Sequence, residues 1–388
     1  MGGSLGRSGD AYFLADAEGL IWLHGCADVL ATFSVGDLIV AQVSELKEGA
    51  AVISDAQRVF STQIDGDEGR KPHVERFTRF VQHVREFFLE SGLQELFTPT
   101  LVKCPGLEPA LEPFSTTLSR GRENLTVYLP TSPEVSLKKA MCRGFTDIFE
   151  IKNCFRKEEF SPHHESEFLM LEWYRAFADL DLIVKDLEHL LEFLSAKRWI
   201  EGAKPKLRQT DFATLFLTLF EFRLTPRTTA SELRDLCRRR DLEFAENDTF
   251  ADLFHRLLME TVEPYLAAQG PTVVRRFPPS LAALAKLDAD GWADRAEFYW
   301  SGLEIANGFN EVTDPRLQAE RWREEADERR RLGRSPVPED PALIRGLEKG
   351  LPPSGGIALG LERLYMACTG VREIRELRLF GTSGLFSG

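Results

Sequence analysis

The sequence lacks an apolar run long enough to cross a membrane. The longest candidate, around Phe212 to Phe222, is interrupted by Glu221 and falls short of the roughly 18 residues a spanning helix needs. Its opening stretch, Met1 to Asp10, has one positive charge and no apolar core behind it, so the layout of a secretory signal is missing and a cytoplasmic address is expected. The six cysteines (Cys26, Cys104, Cys142, Cys154, Cys237, Cys368) form no C-x-x-C pair, which argues against a zinc site or a disulfide frame and for inert buried thiols. Neither a P-loop nor a Rossmann glycine signature occurs, and there are no repeats or low-complexity tracts. Basic residues are in deficit, 48 against 61 acidic, and a net charge of −13 disfavours a polyanionic partner unless the basic groups gather on one face.

What is present is the composition of a soluble globular protein, 43% hydrophobic and 28% charged over 388 residues, enough for two or three folding units or one large catalytic unit with an appendage. Residues 11 to 60 read as short strands, at Ala11 to Leu14, Gly19 to His24, Asp37 to Val43 and Ala50 to Ile53. The polar stretch Gln63 to Pro72 separates this β unit (residues 1–66, a candidate reduced OB-like barrel) from the rest (67–388). Helical periodicity follows at Val74 to Ser91, with a Phe and Val stripe closed by Gly92, and at Leu180 to Trp199, Ala230 to Arg240, Thr249 to Ala268 and Leu317 to Leu332. Strand-like runs lie between them at Thr126 to Leu129, Phe168 to Tyr174 and Ala296 to Ile305. Strands and helices mix without regular βαβ alternation, so an antiparallel α+β architecture is expected. The charged stretch Arg316 to Arg334, seven arginines against five acids, reads as a solvated helix.

Four stretches concentrate polar groups beside apolar ones. Thr131-Ser132-Pro133-Glu134 precedes an apolar-periodic run and is also how a helix begins, with a capping hydroxyl and Pro in the first turn. Cys154 to Arg175 describes a hairpin with Arg156 on one arm, His163 and His164 in the loop and Glu172 on the returning arm. Glu172 between Leu171 and Trp173 fits a plain amphipathic hairpin poorly, because a buried carboxylate calls for a cation. A metal at the two histidines is disfavoured, since strand neighbours point oppositely and no third ligand is near. In Gly302 to Glu311, Glu304 and Glu311 are seven apart and would face opposite sides of a flat strand; a turn or bulge at Asn307-Gly308 would bring both to one cation, for which magnesium with nucleotide phosphates is the fitting case. An ordinary Asn-Gly turn explains the same residues. Ser354 to Leu364 alternates small residues along a strand and then places Arg363 at a helix start, which fits close approach of a ligand or a tight strand-helix junction.

In this order and spacing the four stretches resemble the catalytic core of class II aminoacyl-tRNA synthetases, in the lysyl branch. Phe155-Arg156-Lys157-Glu158 resembles motif 2, Gly356 to Arg363 motif 3, and Pro99 in Phe97-Thr98-Pro99-Thr100 the proline of motif 1. Within the branch, Met170 to Arg175, Glu304 to Phe309 and Ala358 are most similar to the free-standing paralogues that attach β-lysine to a lysine of elongation factor P. The N-terminal β unit and the end of the chain, Leu379 to Ser383, depart from that pattern.

The resemblance implies an antiparallel sheet flanked by helices, ATP and Mg2+ as cofactors, a homodimer, elongation factor P as acceptor, no membrane, and tRNA as an unlikely partner. It implies that an amino-acid carboxylate attacks the α-phosphorus of ATP and that the adenylate then passes to an amine. Arg156 would meet the α-phosphate and substrate carboxylate, Arg363 the γ-phosphate, and Glu304 with Glu311 the magnesium. Phe168 would stack on adenine, with Glu158 and His164 near the base and phosphates. Ser132, Glu134, Glu172, Tyr174 and Asn307 would receive the amino acid, with Ala358 at the pocket floor. The alternative is a lysyl-tRNA synthetase-like enzyme acylating tRNA or another small amine.

Overall fold

A computed structural model describes the chain apart from residues 1, 9–10, 17–18, 24–26, 34–36, 48–49, 61–69, 107, 158–159, 201–204, 283–284 and 382–388. The expected boundary at 66/67, Cys26 and Glu158 lie outside the described residues. Two compact units separate at Met1–Glu75 and Arg76–Gly388.

In the first unit, β1 (Gly2–Ser8), β2 (Ala11–Asp16), β3 (Gly19–Leu23), β4 (Leu38–Lys47) and β5 (Ala50–Phe60) close a barrel in the order β1-β2-β3-β5-β4, with a short α1 (Ala27–Leu30) between β3 and β4. Its core is small and aliphatic: Leu5, Leu14, Leu23, Leu30, Ile39 and Ile53 are all buried. The strand β1, which closes the barrel against β4, has the sequence GGSLGRS and carries no apolar alternation to betray it.

The chain continues through α2 (Arg70–Glu90), β6 (Gln94–Glu95), the hairpin β7 (Ser115–Arg120) and β8 (Glu123–Tyr128), and α3 (Glu134–Met141). After these come β9 (Asp147–Phe155), β10 (Glu167–Ala176), α4 (Leu180–Ala196), β11 (Arg208–Asp211) and the helices α5 (Phe212–Phe220), α6 (Ala230–Arg239), α7 (Phe250–Leu257) and α8 (Glu263–Ala267). The remainder is β12 (Thr272–Phe277), β13 (Ala293–Trp300), β14 (Leu303–Asn310), α9 (Pro315–Arg331), α10 (Pro341–Lys349), β15 (Ser354–Gly360) and α11 (Leu361–Thr369). Eight strands form one sheet, β11-β12-β13-β14-β15-β10-β9-β6, antiparallel except at its two edge pairs. This is the expected mixed sheet flanked by helices.

One face of that sheet is the main core. Phe149, Leu171, Trp173, Ile357 and Leu359 point into it and pack against Phe80, Val84 and Phe88 of α2, Leu187 and Leu190 of α4 and Tyr365 of α11. The apolar run read around Phe212 is α5, which packs Phe212 and Phe216 against Phe254 and Phe277 and ends at Glu221 in a left-handed conformation. Among the described residues no helix is long and apolar enough to cross a membrane. The five described cysteines are free, and burial raises their thiols, Cys104 to about 11, which suits inert side chains.

Two expectations are corrected here. The run Ala296 to Ile305 is not one strand: Ser301 (φ 54°) and Gly302 (φ 78°) make a turn with two left-handed residues that folds β13 back onto β14. The stretch Arg316 to Arg334 forms α9, but one face of it is not solvated. Gln318, Trp322 and Arg329 are buried, and Arg329 Nη1 donates to the carbonyls of Glu108 (3.0 Å) and Leu111 (2.5 Å) while Nη2 reaches Ser335 O (2.9 Å) and Glu112 Oε2 (3.2 Å). Arg329→Ala strands these acceptors and is expected to lower the unfolding free energy by about 3 to 5 kcal/mol. Urea unfolding checks this, and a change under about 1 kcal/mol would show the network to be dispensable.

Candidate active site

Strand alternation decides which side chains meet on the sheet face opposite the core. The pairing of β9, β10, β15 and β14 puts Glu150, Glu172, Ala358 and Asn307 in one row, and Ile148, Tyr174, Gly356 and Phe309 in the next. On β13, Glu297 continues the first row opposite Asn307 and Arg295 the second opposite Phe309. The polar face is thus built from residues two apart on five strands.

The bulge anticipated at Asn307-Gly308 is elsewhere. The strand β14 runs straight through that dipeptide, where Gly308 is needed because a Cβ would meet the Gly356 carbonyl at 3.0 Å. The register shifts instead where Phe298 pairs with Ala306 and Tyr299 with Glu304, leaving Ile305 without a partner on β13. Ile305 and Ala306 both enter the core, so Glu304 changes face and joins Asn307, Phe309 and Glu311 on the polar side.

Sharing a face does not bring Glu304 and Glu311 to one ion. Seven residues of strand separate their Cα atoms by about 20 Å, and each belongs to a different centre. This corrects the expected metal pair.

Glu311 belongs to the first centre, with Glu134, Glu172 and Lys138. Glu172 is 2% exposed; Tyr174 Oη donates to its Oε1 (2.5 Å) and Ser132 Oγ to its Oε2 (2.8 Å). Ser132 Oγ also accepts from the Glu134 amide (3.0 Å), so the segment begins a helix as expected, with Pro133 at the cap position of α3 rather than inside its first turn. Lys138, 1% exposed, is held between Glu134 Oε1 (2.5 Å) and Glu311 Oε2 (2.6 Å). Burial works to lower its pKa, but the two carboxylates outweigh it and raise it. Burial pushes Glu172 up to about 8, helped by Glu134, and Glu311 up to about 7 against the pull of Lys138. Gly356 gives Tyr174 and Glu311 their room: a Cβ there would meet the Tyr174 ring at 2.4 Å and Glu311 Oε1 at 2.6 Å.

The second centre is basic. Arg156, directly after β9, lays its guanidinium over the Phe168 ring, 5.0 Å from the centroid. Arg363, in the first turn of α11, donates from Nη1 to the Glu304 carbonyl (2.8 Å) and from Nη2 contacts His164 Nε2, whose Nδ1 meets Ser161 Oγ (2.7 Å). His164 is therefore a neighbour of Arg363, and His163 is exposed in the β9–β10 loop. Facing these cations are Glu304 and Glu297. Burial and then Glu297 raise Glu304 to about 7 against the pull of Arg363, Arg295 and Arg156. Arg295 holds Glu297 (Nη2 to Oε1, 2.5 Å) and Asn307 (Nε to Oδ1, 3.1 Å), and Tyr299 Oη donates to Glu297 Oε2.

The sequence matches the family of class II tRNA synthetases (D, K and N) over residues 67–384. The chain belongs to that family. Among its relatives is the elongation factor P--(R)-beta-lysine ligase of Mannheimia succiniciproducens, 34% identical over 314 residues, covering 79% of this chain and 94% of that protein. The ligases of the same name from Pseudoalteromonas translucida (36% over 309 residues, 77% and 92%) and Pasteurella multocida (32% over 307 residues, 78% and 93%) are similar to the same extent. Class II membership agrees with the sheet flanked by helices found above.

Two residues central to the geometry escaped the reading of the sequence. Lys138 sits in an ordinary amphipathic helix pattern. Glu297 alternates with Ala296 and Phe298 like any half-buried strand residue. Only the pairing of α3 and β13 with the rest of the sheet face exposes them.

Proposed function

We propose that the chain activates a lysine-like diamino acid, (R)-β-lysine, as its adenylate and ligates it to a lysine side chain of elongation factor P. The observation that carries this is a charge count: Glu134, Glu172 and Glu311 face one ammonium, Lys138, so the pocket has an excess of two negative charges when ionised, matching a molecule with two ammonium groups. The names of the relatives support the acceptor. In the first step the substrate carboxylate forms a bond to the α-phosphorus and the bond to the β-phosphate oxygen breaks, releasing pyrophosphate. In the second the neutral acceptor amine bonds to the acyl carbon, AMP leaves with its oxygen, and the amine proton passes to solvent.

Arg156 and Arg363 neutralise the phosphate charge, and Phe168 supports the adenine. Glu297 and Glu304 fit Mg2+: two hard oxygen donors on adjacent strands, both desolvated, beside the cations that would bind the phosphates. Bound there the ion supplies further charge neutralisation. Ala358, between Glu172 and Asn307, adds a methyl at the pocket floor, worth about 1 to 3 kcal/mol in substrate preference. A homodimer is supported by apolar groups beside Pro99 in the sequence that none of the described residues covers: Phe97 is 84% exposed, and Leu101 is half-exposed. A cytoplasmic location accords with free cysteines.

The barrel's strand order, with α1 between β3 and β4, supports reading the first residues as a reduced OB-like barrel. Such barrels often bind RNA, which keeps tRNA acylation as the second reading. Residues 1–60 hold three basic side chains (Arg7, Lys47, Arg58) against eight acidic ones, a field that repels phosphates.

Pyrophosphate exchange with α-lysine and (R)-β-lysine, each with and without elongation factor P, tests the proposal. Activation of β-lysine with label transfer to the protein supports it; transfer only to tRNA would replace it with the second reading.

A pH dependence follows. Glu172 has a folded pKa of about 8 against about 4.3 for the unfolded chain, so between those values the folded, ligand-free protein keeps a proton that the unfolded chain has lost. Stability from this group therefore falls as pH rises from about 4.3 to about 8 and levels off above, whereas an ammonium ligand favours the ionised form and binds better at the upper end. The melting temperature of ligand-free wild type should fall across this range relative to Glu172→Gln, and saturating lysine should remove the difference. Parallel curves for both proteins without ligand would contradict it.

A further inference from the structure

Beyond Ser132 and Glu134, between α3 and α9, lies a narrow cavity of about 30 Å3 that opens to solvent. No step above uses it. Its walls are of two kinds. Val135, Trp322 and Leu343 supply apolar surface, and Glu108, Glu134 and Glu325 supply carboxylates, with no Lys or Arg among the described lining residues. Arg329 fixes the relation of the walls by tying α9 to the Glu108 and Leu111 carbonyls.

An acidic lining alone would say little, but a second observation stands beside it. Gln318 lines the same cavity, is only 2% exposed, and its Oε1 has no hydrogen-bond partner. A buried acceptor left without a donor costs roughly 1 to 3 kcal/mol, which a ligand carrying N–H groups would recover. Glu325 points the same way. Among the described residues it has no ion pair: the cations that act on its charge are Lys138, taken up by Glu134 and Glu311, and Arg321, paired with Glu324. Burial, Glu134 and Glu108 push its carboxyl up to about 8, so it too gains from a cation.

We propose that this cavity is a subsite for a primary alkylammonium group, with Glu325 and Glu134 as counter-charges, Gln318 Oε1 as a further acceptor, and Trp322 and Val135 against the methylenes. The inference rests on reading the adjoining centre as one for a diamino acid. The ammonium belongs either to the amino acid being activated or to the acceptor's lysine.

Glu325→Gln and Glu325→Asp decide between these sources. Pyrophosphate exchange without acceptor gives the KM of the amino acid, and the transfer assay gives the KM of elongation factor P. Glu325→Gln is expected to raise one of them about tenfold with the KM of ATP unchanged, and Glu325→Asp to recover part of it. A rise already present in exchange assigns the subsite to the amino acid, and a rise confined to transfer assigns it to the acceptor. Both values within about twofold of wild type overturn the proposal. Should wild type activate no lysine-like amino acid, the diamino-acid reading falls by itself, and calorimetry with n-butylamine judges the subsite: binding that Glu325→Gln weakens upholds it, and no binding, or binding that Glu325→Gln leaves unchanged, overturns it.

Discussion

Arg156→Ala is expected to lower the turnover of pyrophosphate exchange about 100- to 1000-fold, equivalent to about 2.7 to 4 kcal/mol, while the amino acid's KM moves far less. The reasoning starts from charge. Attack of a carboxylate anion on a triphosphate brings like charges together, and the cations facing that position are Arg156, Arg363 and Arg295, the three that oppose the rise in the Glu304 pKa. The substitution should not disturb the fold, because the Arg156 backbone is fixed independently by its amide bond to the Ser166 carbonyl (2.9 Å). Arg156→Lys keeps the charge but loses the planar group over Phe168, and an intermediate loss is expected. A turnover within threefold of wild type for the alanine variant would remove Arg156 from the chemical step.

Glu172→Gln should act on the other kinetic parameter. Both carboxylate oxygens accept from hydroxyls, Tyr174 and Ser132, and Glu172 and Tyr174 are buried. The amide supplies one acceptor in place of two, leaves a hydroxyl without its partner and halves the pocket's excess negative charge. Truncating one member of a buried, hydrogen-bonded charge pair costs about 2 to 5 kcal/mol, so the amino acid's KM should rise at least about 30-fold with the KM of ATP held within about threefold. Exchange assays at varied concentrations of each substrate separate the two. Equal rises in both would mean that Glu172 supports the sheet face as a whole and not the amino-acid pocket.

The separate behaviour of these residues shows what the chain reveals before it folds. Glu172 stood out in the sequence because it interrupts Leu171 and Trp173, and a carboxylate in that setting has a reason to be there whatever the fold. Helix punctuation was equally local: Thr249 and Thr229 begin α7 and α6 with reciprocal capping bonds that depend on residues three apart. Glu297 was illegible, since its meaning comes from lying opposite Asn307 on another strand. Lys138 was illegible for the same reason, its partner Glu311 being far along the chain. The Ser301-Gly302 turn was hidden by a stronger local signal, Asn307-Gly308, whose glycine answers to close packing by β15 and not to chain reversal. The strand β1 has no apolar alternation of its own, and the buried side of α9 was hidden because two of its three buried residues, Gln318 and Arg329, are polar.

The unpaired Ile305 on β14 works like a reading frame. Substitutions along the strand alter one side chain at a time, but drawing Ile305 into regular pairing with β13 would exchange inside and outside for the residues between it and the turn, sending Glu304 toward the core and Leu303 toward the polar face. The tight hairpin to β13 transmits such a slip no further than Trp300, so the damage would be confined to the carboxylate and leave the pocket around Glu172 in register. Irregular pairing at this one point is therefore a chemical constraint, and it acts on the second centre alone.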